Sequence, residues 1–142
     1  MPGASPLRVG LVGAGRWGRN YLHTLATLPG CRLVGVADPS PVPGLAVPAF
    51  PGLEELLDRA GPEAVVIAAP DPAHYPLARD CLEAGCDVLV EKPMALSATE
   101  AEALGTLGRA LGRVVAVGQT TLYHPGCRRL RSGIEQGLIG QP

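Results

Sequence analysis

The sequence predicts an α/β domain built on a doubly wound parallel sheet, and three observations predict it. Apolar runs of strand length alternate with stretches whose apolar residues recur at helical spacing. The runs Leu7–Val12, Leu33–Ala37, Ala64–Ala69, Asp87–Val90 and Val114–Val117 are mostly continuous rather than alternating, as in strands covered on both faces. Gly and Pro punctuate nearly every junction, and neither a longer sequence repeat nor an interdomain linker breaks the βα alternation. A three-layer α/β/α domain follows, with helices on both faces.

Taken in order, Met1–Pro6 is a lead-in expected to fray. Leu7–Val12 is the first strand. Tyr21, Leu22, Leu25, Ala26 and Leu28 mark the inner face of a helix that Pro29-Gly30 stops. Leu33–Ala37 is the second strand. Five prolines in Pro39–Pro51 exclude a helix there, leaving a tight connection with a short edge strand expected around Leu45–Val47. Leu53, Leu56, Leu57 and Ala60 form a short amphipathic helix ended by Gly61-Pro62. The strand Ala64–Ala69 breaks at Pro70-Asp71-Pro72. Leu77, Ala78, Cys81 and Leu82 line a helix that stops at Gly85, ahead of the strand Asp87–Val90. Ser97 with Glu100 makes a capping box for a helix faced by Leu104, Leu107 and Leu111 and ended at Gly112. The strand Val114–Val117 and a helix over about Gly126–Gln136 complete the domain, whose ordered part is expected over about residues 7–137.

The first strand runs into Gly13-Ala14-Gly15-Arg16-Trp17-Gly18, and the second ends in Asp38, twenty residues after Gly18. Strand before, helix behind and acid at that distance make the dinucleotide-binding fingerprint of a Rossmann fold. Gly13 permits the tight turn, Gly15 lets a pyrophosphate approach the backbone, and Gly18 lets the helix pack close. The helix start offers free N–H groups and the positive end of its dipole. Asp38 accepts from the adenosine ribose hydroxyls. Its charge repels a 2′-phosphate and no Arg lies in Pro39–Pro43, so NAD is favoured over NADP.

Composition removes other classes. An apolar content of 46% fits a folded domain, and a net charge of −1 gives no case for nucleic acid or an anionic membrane. The cluster Arg128-Arg129-Leu130-Arg131 is too short to alter that. Cys31, Cys81, Cys86 and Cys127 lack C-x-x-C spacing, so no metal site is expected and reduced thiols are the default. No signal peptide or membrane-spanning run is visible, and a cytoplasmic protein is expected.

Eleven Arg stand against a single Lys, Lys92, at the end of the strand Asp87–Val90. A lone Lys at the ligand edge of such a sheet is a candidate for chemistry, since Arg cannot give up its proton; an ordinary snorkelling lysine is the alternative. Glu91 stands ready to orient or charge-balance it, and Pro93 to fix the turn. Gly13-x-Gly15-x-x-Gly18, Asp38, Ala69-Pro70-x-x-x-His74, Glu91-Lys92-Pro93 and Val117-Gly118-Gln119 together resemble the glucose–fructose oxidoreductase / inositol dehydrogenase / MocA family, over nearly the whole chain.

The resemblance implies a nicotinamide-dependent dehydrogenase of sugars, polyols or related hydroxy compounds. It implies that Gly13, Arg16, Trp17 and Gly18 line the pyrophosphate and Asp38 holds the adenosine ribose. Ala69, Pro70 and His74 flank the nicotinamide side, with a helix-start cap the alternative for His74. Glu91 and Lys92 sit by the nicotinamide ribose, Lys92 being catalytic through a hydrogen bond to the reacting hydroxyl, and Gln119 lies near the carboxamide or substrate. Tyr123 and His124 have a packing or turn role or a substrate role.

Two departures from the family pattern are visible. Pro39–Pro51 replaces a helix that family members carry after the acid, which implies a thinner adenine pocket. The resemblance also implies a C-terminal α+β substrate domain with a proton-transferring His, which is expected to be missing from this chain, so binding of NAD(H) with little or no turnover is expected. Three functions are weighed: the cofactor-binding part of a dehydrogenase whose second domain is missing through truncation or supplied by another chain, a stand-alone NAD-binding sensor or storage module, or a degenerate remnant. A homo-oligomer or a separate substrate-domain partner is expected to cover apolar residues left exposed.

Overall fold

In the computed structural model, which describes residues 5–140, six parallel strands form one sheet: β1 (Leu7–Val12), β2 (Cys31–Ala37), β3 (Ala49–Phe50), β4 (Ala64–Ile67), β5 (Asp87–Val90) and β6 (Val115–Val117). The lead-in at 1–4 and the last two residues lie outside the described residues. The spatial order is β3-β2-β1-β4-β5-β6. Chain order therefore reverses between β1 and β4, the point at which sheets of this kind open a crevice.

The helices are α1 (Arg16–Thr27), α2 (Leu53–Ala60), α3 (His74–Glu83), α4 (Ala98–Leu111) and α5 (Pro125–Glu135). One face of the sheet carries α2, α3 and α4. Leu56, Ala60, Ala78, Cys81, Leu82 and Leu104 pack there on Val12, Val65, Ile67, Val88 and Val90. The other face carries α1, whose Leu25 joins Leu11, Val36 and Val66, with Val42, Leu45 and Val47 of the proline-rich segment packed against them. Full burial of a leucine such as Leu56 stabilises the fold by roughly 2–3 kcal/mol.

Local chemistry sets the ends. Pro29 and Gly30 follow α1, whose last turn closes with the Leu28 N–H on the Thr24 carbonyl. Glu54 and Glu55 in the first turn of α2 and Arg59 in its last complement the dipole, and Gly61 (φ 53) ends it. Ser97 caps α4 by accepting the Glu100 N–H at 3.2 Å, while the Glu100 carboxylate accepts the Leu96 N–H at 3.2 Å, one residue upstream of the expected partner. No helix among the described residues is long and apolar enough to cross a membrane.

Several boundaries differ from the sequence reading. The edge strand forms at Ala49–Phe50, not at Leu45–Val47. Leu45 and Val47 are instead used against the α1 face, and Pro48, which has no N–H, contributes only its carbonyl, accepting the Val36 N–H at 3.0 Å. β4 ends at Ile67 rather than Ala69: the Ala68 N–H still bonds the Val12 carbonyl at 2.8 Å, and the chain bends at Ala69 ahead of Pro70. α3 begins at His74, after a 3-10 turn at Asp71–Ala73. α5 buries none of its residues, and Leu122, Tyr123, Leu130, Leu138 and Ile139 are exposed on and around it.

Candidate nucleotide-binding site

Register aligns the strand ends. Val12 pairs with Ala37 and Ile67, Ile67 with Val90, and Val90 with Val117. The next residues, Gly13, Asp38, Ala68, Glu91 and Gly118, therefore stand in one row along the carboxyl edge. Gly13, Asp38 and Glu91, singled out in the sequence, share this row because each directly follows a strand.

The glycine loop is shaped by contact, not only by flexibility. Gly13 has φ 88, and a Cβ on it would meet the Ala68 carbonyl at 2.5 Å; a Cβ on Gly18 would lie 2.0 Å from the Gly13 carbonyl. A Cβ on Gly15 would meet nothing within 4 Å, so it would project into open space. Gly15 also N-caps α1 with no side chain on the first amides. The space in front of Gly15 and the bare helix start fit a pyrophosphate.

Asp38 turns back toward this loop. Its Oδ2 accepts the Ala14 N–H at 2.8 Å and its Oδ1 accepts the Ser40 N–H at 2.8 Å. Each oxygen keeps a lone-pair direction for a further donor. A cavity of about 570 Å³ opens beside it, lined by Gly13, Gly15, Arg16, Trp17, Asp38 and Pro70 among others, with Pro39, Leu53 and Leu77 as apolar walls. That volume, apolar with few polar groups, is in the range of a cofactor site.

A second, smaller cavity of about 140 Å³ shares the walls Trp17, Ala68 and Ala69 and is completed by Asp71, His74, Glu91 and Lys92. Lys92 is exposed. Glu91 is 8% exposed and does not form an ion pair with Lys92. Its Oε1 accepts the Tyr21 hydroxyl at 2.7 Å, and its Oε2 accepts the backbone N–H of Lys92 at 3.1 Å. Burial, followed by the hydrogen bond and charge of Glu91, pushes the Tyr21 phenol well above the ordinary tyrosine range. His74 is buried, with Nδ1 2.6 Å from the Pro93 carbonyl and Nε2 2.8 Å from the Ala69 carbonyl. It ties the turn after β4 to the turn after β5.

Gln119 is exposed at the start of a 3-10 turn and lines neither cavity. His124 caps α5 by accepting the Gly126 N–H at 3.1 Å, and Tyr123, 72% exposed, lies 5.8 Å from the Arg128 guanidinium. The sequence reading missed Tyr21 and Asp71 as parts of the site. Asp71, a charge held between two prolines at a strand end, carried a visible signal. Tyr21 did not, since its helical spacing suits a core position equally well.

Comparison with known proteins agrees with this architecture. The oxidoreductase family with an NAD-binding Rossmann fold, GFO/IDH/MocA, matches residues 7–119. Inositol 2-dehydrogenase 1 of Saccharopolyspora erythraea is 36% identical over 96% of this chain and 43% of its own length. Inositol 2-dehydrogenase of Rubrobacter xylanophilus is 37% identical over 96% of this chain and 42% of its own. The crystal structure of the WlbA dehydrogenase from Bordetella pertussis, in complex with NADH and UDP-GlcNAcA, superposes with a TM-score of 0.87 at 26% identity, over 93% of this chain and 43% of that one. The chain thus spans less than half the length of the relatives it matches. It belongs to the GFO/IDH/MocA oxidoreductase family and forms that family's NAD-binding Rossmann domain.

Proposed function

We propose that this domain holds NAD(H) along the carboxyl edge, adenosine at the larger cavity and nicotinamide at the smaller, for hydride exchange with a sugar or polyol hydroxyl. The observation that carries the reading is the pair of cavities with common walls, Asp38 beside one and Glu91-Lys92 beside the other. In this reading Asp38 receives the ribose hydroxyls, while Pro39, Leu53 and Leu77 exclude water from the adenine. Gly13, Gly15, Gly18 and the amides at the start of α1, with Arg16 beside them, receive the pyrophosphate. Ala69 and Pro70 line the path between the halves. Trp17 stands over both cavities. His74 acts on the nicotinamide side by holding the two turns apart at a fixed distance, and Gln119 waits on the substrate side of the edge.

Bound nicotinamide supplies hydride acceptance and donation. Lys92 is proposed as the catalytic group, its ammonium donating to the hydroxyl oxygen of the reacting carbinol and stabilising charge that builds there. The polyol class is supported by the names of the two inositol dehydrogenases. Apolar side chains exposed near α5 support a partnered state, as a homo-oligomer or with a separate substrate domain. Four free cysteines accord with a cytoplasmic setting, where thiols stay reduced.

The test is a titration of NADH and NADPH followed by energy transfer from Trp17, the sole tryptophan, to the nicotinamide. Saturable NADH binding with NADPH much weaker is expected. Silence with both nucleotides would overturn the reading.

A further inference from the structure

Tyr21 lies on α1, one turn beyond Gly18, and its hydroxyl donates to Glu91 on the far side of the switch point, seventy residues away in sequence. Glu91 is buried, and among the described residues it forms no ion pair. A buried carboxylate must find donors. This one finds the Tyr21 hydroxyl on Oε1 and the Lys92 amide on Oε2. Gly118 closes the third side: a Cβ there would stand 3.0 Å from Glu91 Oε1 and 3.2 Å from the Tyr21 oxygen. The carboxylate is therefore held from three elements at once. The only one of its partners that leads into the smaller cavity is the backbone of Lys92.

We propose that Tyr21 is a positioning residue. By fixing Glu91, its hydroxyl sets the backbone turn from which Lys92 is launched toward the nicotinamide half of the cofactor. This rests on the cofactor reading above. Because Tyr21 rides on the helix whose first turn faces the phosphate site, one helix orients both halves of the crevice. Loss of the hydroxyl frees Glu91 to rotate toward water and releases the Lys92 N–H. The adenosine half, organised by Asp38 and Ala14, does not depend on it.

The test is Tyr21→Phe in this chain, which keeps the ring and removes only the donor. NADH and ADP-ribose, which lacks the nicotinamide, are titrated in parallel. NADH is expected to bind about tenfold more weakly, the effect of one hydrogen bond to a charged group, with ADP-ribose unchanged. Glu91→Asp, which withdraws the carboxylate by one methylene and leaves Tyr21 in place, is expected to give the same split, and stands in should Tyr21→Phe fail to fold. The backbone amide resonance of Lys92 is expected to move in Tyr21→Phe while those of β1 stay. Equal losses for both nucleotides would reduce Tyr21 to a packing residue, and unchanged NADH binding or an unmoved Lys92 amide would overturn the proposal. Failure of the unaltered chain to bind either nucleotide overturns the cofactor reading instead, and the Lys92 amide still decides whether Tyr21 sets the turn.

Discussion

The Asp38 carboxylate accepts the Ala14 N–H at 2.8 Å, joining the end of β2 to the loop that follows β1. Its second oxygen accepts the Ser40 N–H, so the side chain is aimed before any ligand arrives. Charge and geometry are thus separable by substitution. In Asp38→Asn only one of the two backbone N–H groups keeps an oxygen, and the amide NH2, itself a donor, faces the other. Stability is expected to fall by about 1–2 kcal/mol in urea unfolding. With the negative charge gone, NADH is expected to weaken about tenfold and its advantage over NADPH to shrink. Unaltered discrimination between the two nucleotides would count against Asp38 as the selecting group.

His74 is placed where a hydrophobic replacement fits by size but not by chemistry. Its ring nitrogens contact the carbonyls of Pro93 and Ala69, and 1% of the residue is exposed. His74→Leu leaves both carbonyls without that partner. A loss of about 2–4 kcal/mol is expected from urea midpoints. Because the two turns it ties flank the smaller cavity, NADH binding is expected to weaken even where the variant remains fully folded. A fully stable variant would show that the clamp is dispensable.

Strand ends and glycine-loop chemistry were legible in the sequence because each depends on neighbours close in the chain. Val12 must be followed by a residue able to take φ 88, and Gly13 is there. Asp38 follows a strand whose end the apolar run Leu33–Ala37 already announces, although the strand begins two residues earlier, at Cys31. The edge strand was misread because Leu45 and Val47 alternate like strand residues, and only tertiary packing shows that they serve the α1 face. Tyr21 and Glu91 meet across seventy residues, a distance over which periodicity carries no information. His74 stood in view as a site residue, but which way its ring turns follows from where the Pro93 carbonyl lies, and no spacing rule gives that.

Neutral groups in and beside the core predict an alkaline limit. Burial, with Cys86 and Asp80 adding, pushes the Cys81 thiol well above its ordinary 9.0, and burial with Glu91 pushes the Tyr21 phenol above its ordinary 10.0. For both, the native state keeps the proton longer than the unfolded chain does. The unfolded chain thus binds fewer protons as pH rises, and stability falls. Their contribution is fully present below about pH 8.5. It is expected to decline from about pH 9 by up to about 1.4 kcal/mol per pH unit for Cys81. Tyr21 adds a shallower decline above about pH 10, because water reaches part of its ring. Urea midpoints measured across this range should show the first decline reduced in Cys81→Ala, the buried Cys86 thiol, also pushed up by burial, supplying the remainder, and the second decline removed in Tyr21→Phe. A flat profile in the unaltered chain would contradict both assignments.

Gly15 and Gly18 separate binding from folding within one loop. A Cβ on Gly18 would sit 2.0 Å from the Gly13 carbonyl, a backbone atom that cannot swing aside. Gly18→Ala must push α1 off the sheet or distort the turn, and a loss above about 3 kcal/mol or failure to fold is expected. Gly15 has φ −66, open to any residue, and its added Cβ meets nothing within 4 Å. Gly15→Ala is therefore expected to cost only about 0.5–1 kcal/mol, the ordinary difference between these residues at an N-cap. The methyl would nevertheless occupy the space proposed for the pyrophosphate, and NADH affinity is expected to fall at least about tenfold. Thermal melts and the Trp17 titration on both variants decide the matter. A Gly15→Ala chain that binds NADH as well as the unaltered one would mean that the phosphates lie elsewhere along the edge.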